Sequence, residues 1–177
     1  ISVVQGDRIM LKGTHTGQPN GIGTIASSAQ FNIEGNSTSL YFGNEFISRS
    51  GRADECMFRY LFKDCTTLIS ARNFKLQEIA EEDCYTRMFQ GCTSLTEAPE
   101  LPSINLAMSC YTNMFYGCSN LQYIKAMFTT TPSSTYTSNW VNGVAATGTF
   151  VKNTAAQWNV TGVNGIPSGW TVQTASS

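Results

Sequence analysis

The chain has 177 residues, a hydrophobic fraction of 41% and a formal net charge of −1, which suits one ordinary domain with its own core or two small ones. Charged residues make up only 13%, about half the usual ~25%, so the predicted surface is polar but mostly uncharged. This balance argues against nucleic-acid binding, and the absence of any apolar run near the ~18 residues of a membrane span argues against a transmembrane helix.

The first stretch, residues 1–53, is predicted to be rich in β-strands. A hairpin is expected around residues 6–7, and the run QFNIE alternates apolar and polar residues, with Phe31 and Ile33 on one face. Leu40–Phe42 is predicted to form another short strand. Because an open stack of repeats needs its first apolar layer covered, we expect this stretch to be a β-rich N-terminal cap or a truncated β domain.

The middle stretch, residues 54–128, contains one pattern three times. It reads CYTRMFQGCTSL at 84–95, CYTNMFYGCSNL at 110–121 and, more loosely, RYLFKDCTTL at 59–68. A period of 26–27 residues is typical of leucine-rich repeats, whose units stack to bury one continuous core. The recurring anchors are Phe62, Phe89 and Phe115; Cys65, Cys92 and Cys118; and Leu68, Leu95 and Leu121.

Each repeat is predicted to contain a short helical or 3₁₀ turn followed by a strand. The aromatic ring of the turn should point into the stack, so we expect the three Phe anchors to form one buried file. The strands carry apolar residues in the pattern L-x-x-[AI]-x-x-[LFM], and Pro99 and Pro102 should keep the middle strand short. The apolar strand positions are Leu68, Ala71 and Phe74; Leu95, Ala98 and Leu101; and Leu121, Ile124 and Met127.

The last stretch, residues 129–177, is predicted to depart from the period and to form a mixed α/β C-terminal cap. The runs TFVK and WTV are predicted strands, and 155–158 a single helical turn with Asn153 or Thr154 as its cap. This stretch is nearly free of charged residues, which suits an apolar cover over the third repeat. The residues expected to be buried there are Phe150, Trp158, Ile166 and Trp170. The alternative is that Trp140, Trp158 and Trp170 form a carbohydrate platform.

The repeat units, the linking run EAPELPSINLA and the tail GTFVKN…GIPSGWTV resemble the BspA-like surface-antigen family of bacterial leucine-rich-repeat proteins. The resemblance covers roughly residues 54–172. It implies an extracytoplasmic protein, often attached by a lipid anchor that would lie outside this chain, and binding to host or matrix components. It implies no catalytic residues. The first repeat departs from the pattern, since Cys56 and Cys65 are farther apart than the other cysteine pairs and Asp64 replaces Gly.

The six cysteines come two per repeat and allow three states. They can be small apolar core residues, disulfides in an oxidising compartment, or zinc ligands. Zinc sites favour C-x-x-C pairs, and the sequence has none. Disulfides within repeats, Cys84–Cys92 and Cys110–Cys118, are the leading interpretation, although pairs between neighbouring repeats would also fit the allowed Cα separation.

The sequence contains few residues that could form a catalytic site. The single histidine, His15, lies in a Gly/Thr-rich loop far from the repeat cysteines, and a Cys–His nucleophile would need the two to meet. Glu97 and Glu100 could form a glycosidase pair, but a solvated strand surface explains them more simply. We predict no catalytic, cofactor-binding or metal-binding residues.

The sequence therefore predicts an α/β repeat solenoid, a short leucine-rich-repeat stack between two caps. A chain that begins at Ile1 without Met suggests a fragment or mature form of a longer precursor. The expected role is non-enzymatic: a monomeric cell-surface or secreted module that binds a protein or glycan through its repeat face. The alternatives are a structural spacer within a larger surface protein and, least favoured, an enzyme. An exposed apolar patch on the strands would favour binding, and a uniformly polar surface would favour the spacer.

Overall fold

A computed structural model describes residues 23–42 and 55–175 of the chain. They form a parallel β-solenoid whose six strands follow one another in chain order within a single sheet, so the predicted solenoid is confirmed. We call the chain between the starts of consecutive strands a coil. The elements are β1 Phe31–Asn36, α1 Ser39–Phe42, β2 Leu68–Lys75, β3 Glu97–Leu101, β4 Tyr123–Ala126, β5 Thr149–Asn153 and β6 Thr171–Ala175.

The strands of the last stretch continue the sheet. Glu97 of β3 pairs with Tyr123 of β4, and Tyr123 pairs in turn with Thr149 of β5, so these two steps along the chain have the same length. The step from Thr149 to its partner Thr171 of β6 is shorter. The predicted departure from the period is therefore wrong for the coil that ends at β5. The tail diverges in sequence because other apolar residues fill its inward positions, and backbone pairing does not depend on which ones.

The core lies between the sheet and the opposite wall of each coil. All nine apolar positions predicted for the repeat strands are buried, which confirms that pattern. The three predicted Phe anchors also form one file: the ring of Phe89 stacks at 5.3 Å on Phe62 and at 5.7 Å on Phe115. A second file joins Phe58, Tyr85 and Tyr111 at 5.7 Å per step.

The wall opposite the sheet is neither strand nor helix, and we call it the turn ladder: residues 56–65, 83–92, 109–118 and 135–144. Its amides alternate between two partners. The N–H of Lys63 donates to the carbonyl of Tyr60 in the same coil (3.0 Å), whereas the N–H of Phe62 donates to the carbonyl of Met88 in the next coil (2.8 Å). The predicted helical turns are therefore wrong in form, because only every second amide closes a turn.

A left-handed residue at every fourth position explains why no helix propagates along the ladder. These residues have φ between 50° and 79°, and they place two side chains inward, then two outward. The pattern gives the motif CYTRMFQGC its physical meaning: Cys-Tyr and Met-Phe face the core, Arg and Gln-Gly lie on the outer side, and the buried Thr86 donates to the carbonyl of Ser109 in the next coil. The left-handed residues are Cys56, Tyr60, Asp64, Asp83, Arg87, Gly91, Ser109, Asn113, Gly117, Asn139 and Gly143.

The N-terminal stretch confirms one predicted strand and corrects another. Residues 31–34 of QFNIE lie in β1, with Phe31 and Ile33 packed on the core, but Leu40–Phe42 lies in the short helix α1. The cause is Asn36, whose side-chain oxygen accepts the N–H of Thr38 (3.0 Å) and turns the chain after β1. The hairpin around residues 6–7 and His15 lie outside the described residues.

The described part of the last stretch contains no helix, so the predicted mixed α/β composition of the cap is wrong. Asn153 does cap a turn, accepting the N–H of Ala155 at 2.8 Å, but the turn ends at once. The four residues expected to be buried there, Phe150, Trp158, Ile166 and Trp170, are buried. Each indole N–H of the three tryptophans donates to a backbone carbonyl: Trp140 to Gly165, Trp158 to Phe128 and Trp170 to Ala145. The carbohydrate platform is therefore wrong.

This cover nevertheless contains a buried charge, against the expectation from its composition. Lys152 is 7% exposed. Its ammonium donates to the carbonyls of Trp158 (2.6 Å) and Ala156 (3.3 Å) and to Oδ1 of Asn159 (2.8 Å). An ammonium group has three donors, and all of them are satisfied here. Lys152 thus ties the loop after β5 to the sheet.

Candidate functional site

The outward face of the sheet, where the sequence predicts ligand binding, is polar, and its charged side chains form ion pairs with one another. Arg72 donates to Glu97 at 2.6 Å and lies 5.0 Å above the ring of Tyr123, and Lys125 donates to Glu100 at 2.9 Å. The hydrogen bond and charge of Glu97 raise the pKa of Arg72. The outward-facing ring of Tyr123 is thus already covered by a cation.

The two carboxylates of the conceivable glycosidase pair have separate partners. Glu97 pairs with Arg72 on β2, and Glu100 pairs with Lys125 on β4. Each is held by a cation on a different neighbouring strand. Their arrangement supports the simpler interpretation, a solvated surface with cross-strand ion pairs, which contribute little to stability when exposed.

A cluster of exposed apolar side chains lies at the edge of the solenoid, where β2 and β3 end. A groove of about 630 Å³ runs between the linking segments 78–81 and 102–107, and we call it the edge groove. Two apolar side chains that line it remain open to solvent, Ile79 (51%) and Ile104 (40%), and the exposed Met108 (52%) follows directly after the lining residue Ala107. Such clustering of exposed apolar residues marks interaction sites more often than single exposed residues do.

The edge groove is also acidic. Glu78, Glu81 and Glu100 line it, and none of the described residues that line it is basic. Glu82 follows directly in the chain. The groove therefore combines an apolar floor with a negative rim.

The walls of the edge groove are fixed by hydrogen bonds between coils. Ser103 is buried; its hydroxyl accepts the N–H of Ala80 (3.1 Å) and donates to the carbonyl of Asn105 (2.7 Å). The carbonyl of Ile104 accepts the N–H of Thr129 at 2.8 Å. These bonds hold the linking segments in one shape, which favours a site that exists before a partner arrives. Sequence reasoning missed this site, although apolar residues among acidic linkers were its signal.

The six cysteines are free thiols, so the predicted disulfides within repeats are not formed. Cys92 and Cys118 donate to the carbonyls of Phe62 and Phe89 in the preceding coil, both at 3.0 Å. Burial raises the pKa of Cys92 and of Cys110 to about 12, and that of Cys84 well above its usual range. Thiols held protonated in the core are poor nucleophiles and poor metal ligands.

Two further kinds of site are missing from the stretches that the structure describes. They contain no group of three or more His, Cys, Asp or Glu side chains placed to hold a metal ion. Within residues 23–42 and 55–175, no helix has the length and apolar character needed to cross a bilayer.

No protein-family model matches the chain, and no curated protein or solved structure shows significant similarity to it.

Proposed function

We propose that this protein is a non-enzymatic interaction module that binds a partner protein in the edge groove. The observation that carries the proposal is the exposure of Ile79 and Ile104 in a groove that is also lined by glutamates. Charge complementarity selects the occupant: a basic segment of the partner that also presents apolar side chains. Such a segment would cover the apolar side chains of the groove while its Lys or Arg side chains meet Glu78.

The test uses defined peptides of equal length. One alternates Lys with Leu, a second replaces Lys by Glu, and a third replaces Leu by Ser. Fluorescence anisotropy should show binding of the Lys/Leu peptide only. Ile79→Ser with Ile104→Ser should weaken it at least tenfold with little change in the melting temperature, because neither side chain belongs to the buried core.

Tyr116→Ser is the matched control, since Tyr116 is 41% exposed but lies on the turn ladder. Binding should be unchanged in this variant. Equal binding of the Glu/Leu peptide, or full affinity in the Ile79/Ile104 variant, would contradict the edge groove as the site.

We further propose that the solenoid is a leucine-rich-repeat stack of the BspA-like type, monomeric and exposed outside the cytoplasm. The support is the motif that occurs three times in the chain, whose Leu anchors are buried in the core beside the parallel sheet. Protease digestion of the tagged protein on intact cells tests the location. Protection of the tag until the cells are lysed would contradict it.

A structural spacer is the second candidate, and the outward face of the sheet favours it. That face is polar, and its charges are paired across the strands, so it offers a partner little to bind. A spacer predicts that none of the three peptides binds.

A further inference from the structure

The outer face of the turn ladder carries a cluster of positive charge that the edge groove does not involve. The guanidinium carbons of Arg59 and Arg87 lie 5.0 and 5.8 Å from the ring centroid of Tyr60. Nη1 of Arg87 donates to the Tyr60 hydroxyl at 3.2 Å. Two neighbouring coils thus bring two arginines to one phenol.

This cluster has more positive than negative charge. Asp83 is 4.0 Å from Arg59, and its other carboxylate oxygen accepts the hydroxyl of Thr86 at 2.8 Å. Among the described residues, the Nε atoms of Arg59 and Arg87 are buried and have no hydrogen-bond acceptor. Partial burial alone would raise the pKa of Tyr60, but the hydrogen bonds and charges of the two arginines lower it. The site therefore favours an anion.

The backbone gives an independent reason to look for function here. Tyr60 (φ 64°) and Arg87 (φ 57°) occupy a left-handed position of the ladder that is filled by Asn113 and Asn139 in the next two coils. Asn adopts this conformation readily, whereas bulky residues seldom do. The fold alone would be served by Asn, so Tyr and Arg occur here despite a backbone cost, as is common at binding sites.

Neutral polar groups without partners occur at ladder positions near those of the arginines. Oε1 of Gln90 and Oγ1 of Thr112 are buried and have no hydrogen-bond partner among the described residues. Gln90 follows Arg87 closely in the same coil, and the carbonyl of Thr112 accepts the N–H of Arg87 at 2.9 Å. An acceptor and a hydroxyl next to a cationic pair match a ligand rich in hydroxyl groups that also carries an acidic group.

We propose that Arg59, Tyr60 and Arg87 bind the carboxylate or sulfate group of an acidic polysaccharide, with Gln90 and Thr112 bonding its hydroxyls. Guanidinium groups suit both anions because their paired N–H donors match two anion oxygens. The proposal is independent of peptide binding in the edge groove.

Isothermal titration calorimetry with four polymers tests it: polygalacturonate, dextran sulfate, neutral dextran and poly-L-glutamate. Binding of either acidic polysaccharide supports the proposal, and the tighter of the two identifies the anion. Neutral dextran binding as tightly would overturn the role of charge. Poly-L-glutamate binding as tightly would overturn the polysaccharide and point to an acidic protein.

The variants copy residues that the neighbouring coils already use. Arg87→Asn reproduces Asn113, and Arg59→Thr reproduces Thr86 and Thr112. Each should weaken binding at least tenfold, and Arg87→Asn should keep or raise the melting temperature because it relieves the backbone. Arg72→Thr removes an equal charge from the sheet face and should bind as the wild type does. Equal loss in Arg72→Thr, or full affinity in Arg87→Asn, would overturn the site.

Discussion

Two stacked tyrosines in the core have different surroundings for their hydroxyls. The hydroxyl of Tyr85 accepts the N–H of Gln77 at 2.9 Å. That of Tyr111 is buried without a hydrogen-bond partner among the described residues. Both rings are fully buried and stack on one another, so replacement by Phe isolates the effect of the hydroxyl in each.

Tyr85→Phe should destabilise the protein by about 1–3 kcal/mol, because it leaves the buried N–H of Gln77 unpaired. Tyr111→Phe should be neutral or stabilising, since it removes a buried polar atom that has no partner within the described stretches. Urea unfolding of the two variants in parallel measures the difference. A larger loss for Tyr111→Phe than for Tyr85→Phe would contradict this prediction.

Phe89 lies in the middle of the aromatic file, between Phe62 and Phe115. Phe89→Ala should cost roughly 3–5 kcal/mol, because both neighbouring rings lose a stacked partner and a cavity remains. Chemical denaturation measures the loss, with the exposed Tyr116→Ala as the control that should change little. A loss below about 1 kcal/mol would mean that the file can close over the gap.

The buried thiols should make stability fall at high pH. An unfolded cysteine ionises near pH 9, whereas burial raises the pKa of Cys92 and Cys110 to about 12. Between these values only the unfolded chain releases the proton, so each thiol lowers the free energy of unfolding by about 1.4 kcal/mol per pH unit. Below pH 9 their contribution is fully present.

Urea unfolding between pH 7 and 10.5, in the presence of reductant, should show this decline. Cys92→Ala should have a shallower slope than the wild type, because one ionising group is gone. A flat profile would contradict protonated core thiols. Alkylation of the unreduced, denatured protein followed by mass spectrometry should find all six thiols modified.

At the scale of the elements, the last coils pack closely around Gly148, the residue directly before β5. A Cβ on Gly148 would lie 2.6 Å from the carbonyl oxygen of Gln122 and 2.8 Å from the ring of Trp170. Neither atom is the end of a flexible side chain. The glycine is therefore required by the close approach of Gln122 and Trp170.

Gly148→Ala should destabilise the protein by about 1–3 kcal/mol and displace Trp170, which a red shift of tryptophan fluorescence would report. Thr147→Ala is the control, since it introduces the same residue one position earlier, where the side chain is exposed. Equal stability of the two variants would mean that the junction can relax.

At the scale of the whole molecule, each coil covers the one before it. Deleting 149–177 removes β5 and β6 and should uncover Ile124, which lies beside Phe150 in the sheet, and Trp140, which packs on Phe150. We expect a poorly folded, aggregating protein. Deleting only 171–177 removes a strand that is mostly exposed and should lower the melting temperature less. Light scattering measures the oligomeric state of the truncated proteins, and calorimetry measures their melting temperatures. A monomeric 1–148 protein with an unchanged melting temperature would contradict the idea that the earlier coils need β5 and β6 as cover.

The sequence was sufficient for the features that repeat. The file of Phe62, Phe89 and Phe115 and the inward strand positions followed from apolar residues at a fixed period, and the buried residues of the tail followed from its lack of charge. It was insufficient where backbone conformation or a single side chain decides. The turn ladder could not be predicted from the sequence, because Arg87 and Tyr60 adopt a left-handed backbone conformation that neither residue type suggests. Asn36 redirects the chain into α1, and the oxygens that surround Lys152 come from a loop whose path no local pattern gives.

The candidate site was less predictable than the fold. The strand face was the natural choice, but Arg72 and Lys125 reach across strands to Glu97 and Glu100 and leave little of it free. Which cation meets which carboxylate depends on register, and so does the meeting of Ile79 with Ile104 from successive coils. Register can be read from a structure, while composition alone does not contain it.

The alternating amides of the turn ladder also have a mechanical consequence. In both walls of the solenoid, the hydrogen bonds between coils run along its axis. Tension along the axis would therefore open one interface at a time, as a zipper does, and each released coil of about 26 residues would add roughly 90 Å of extended chain. A protein built in this way lengthens in steps under load, and the coils that remain closed keep their own core.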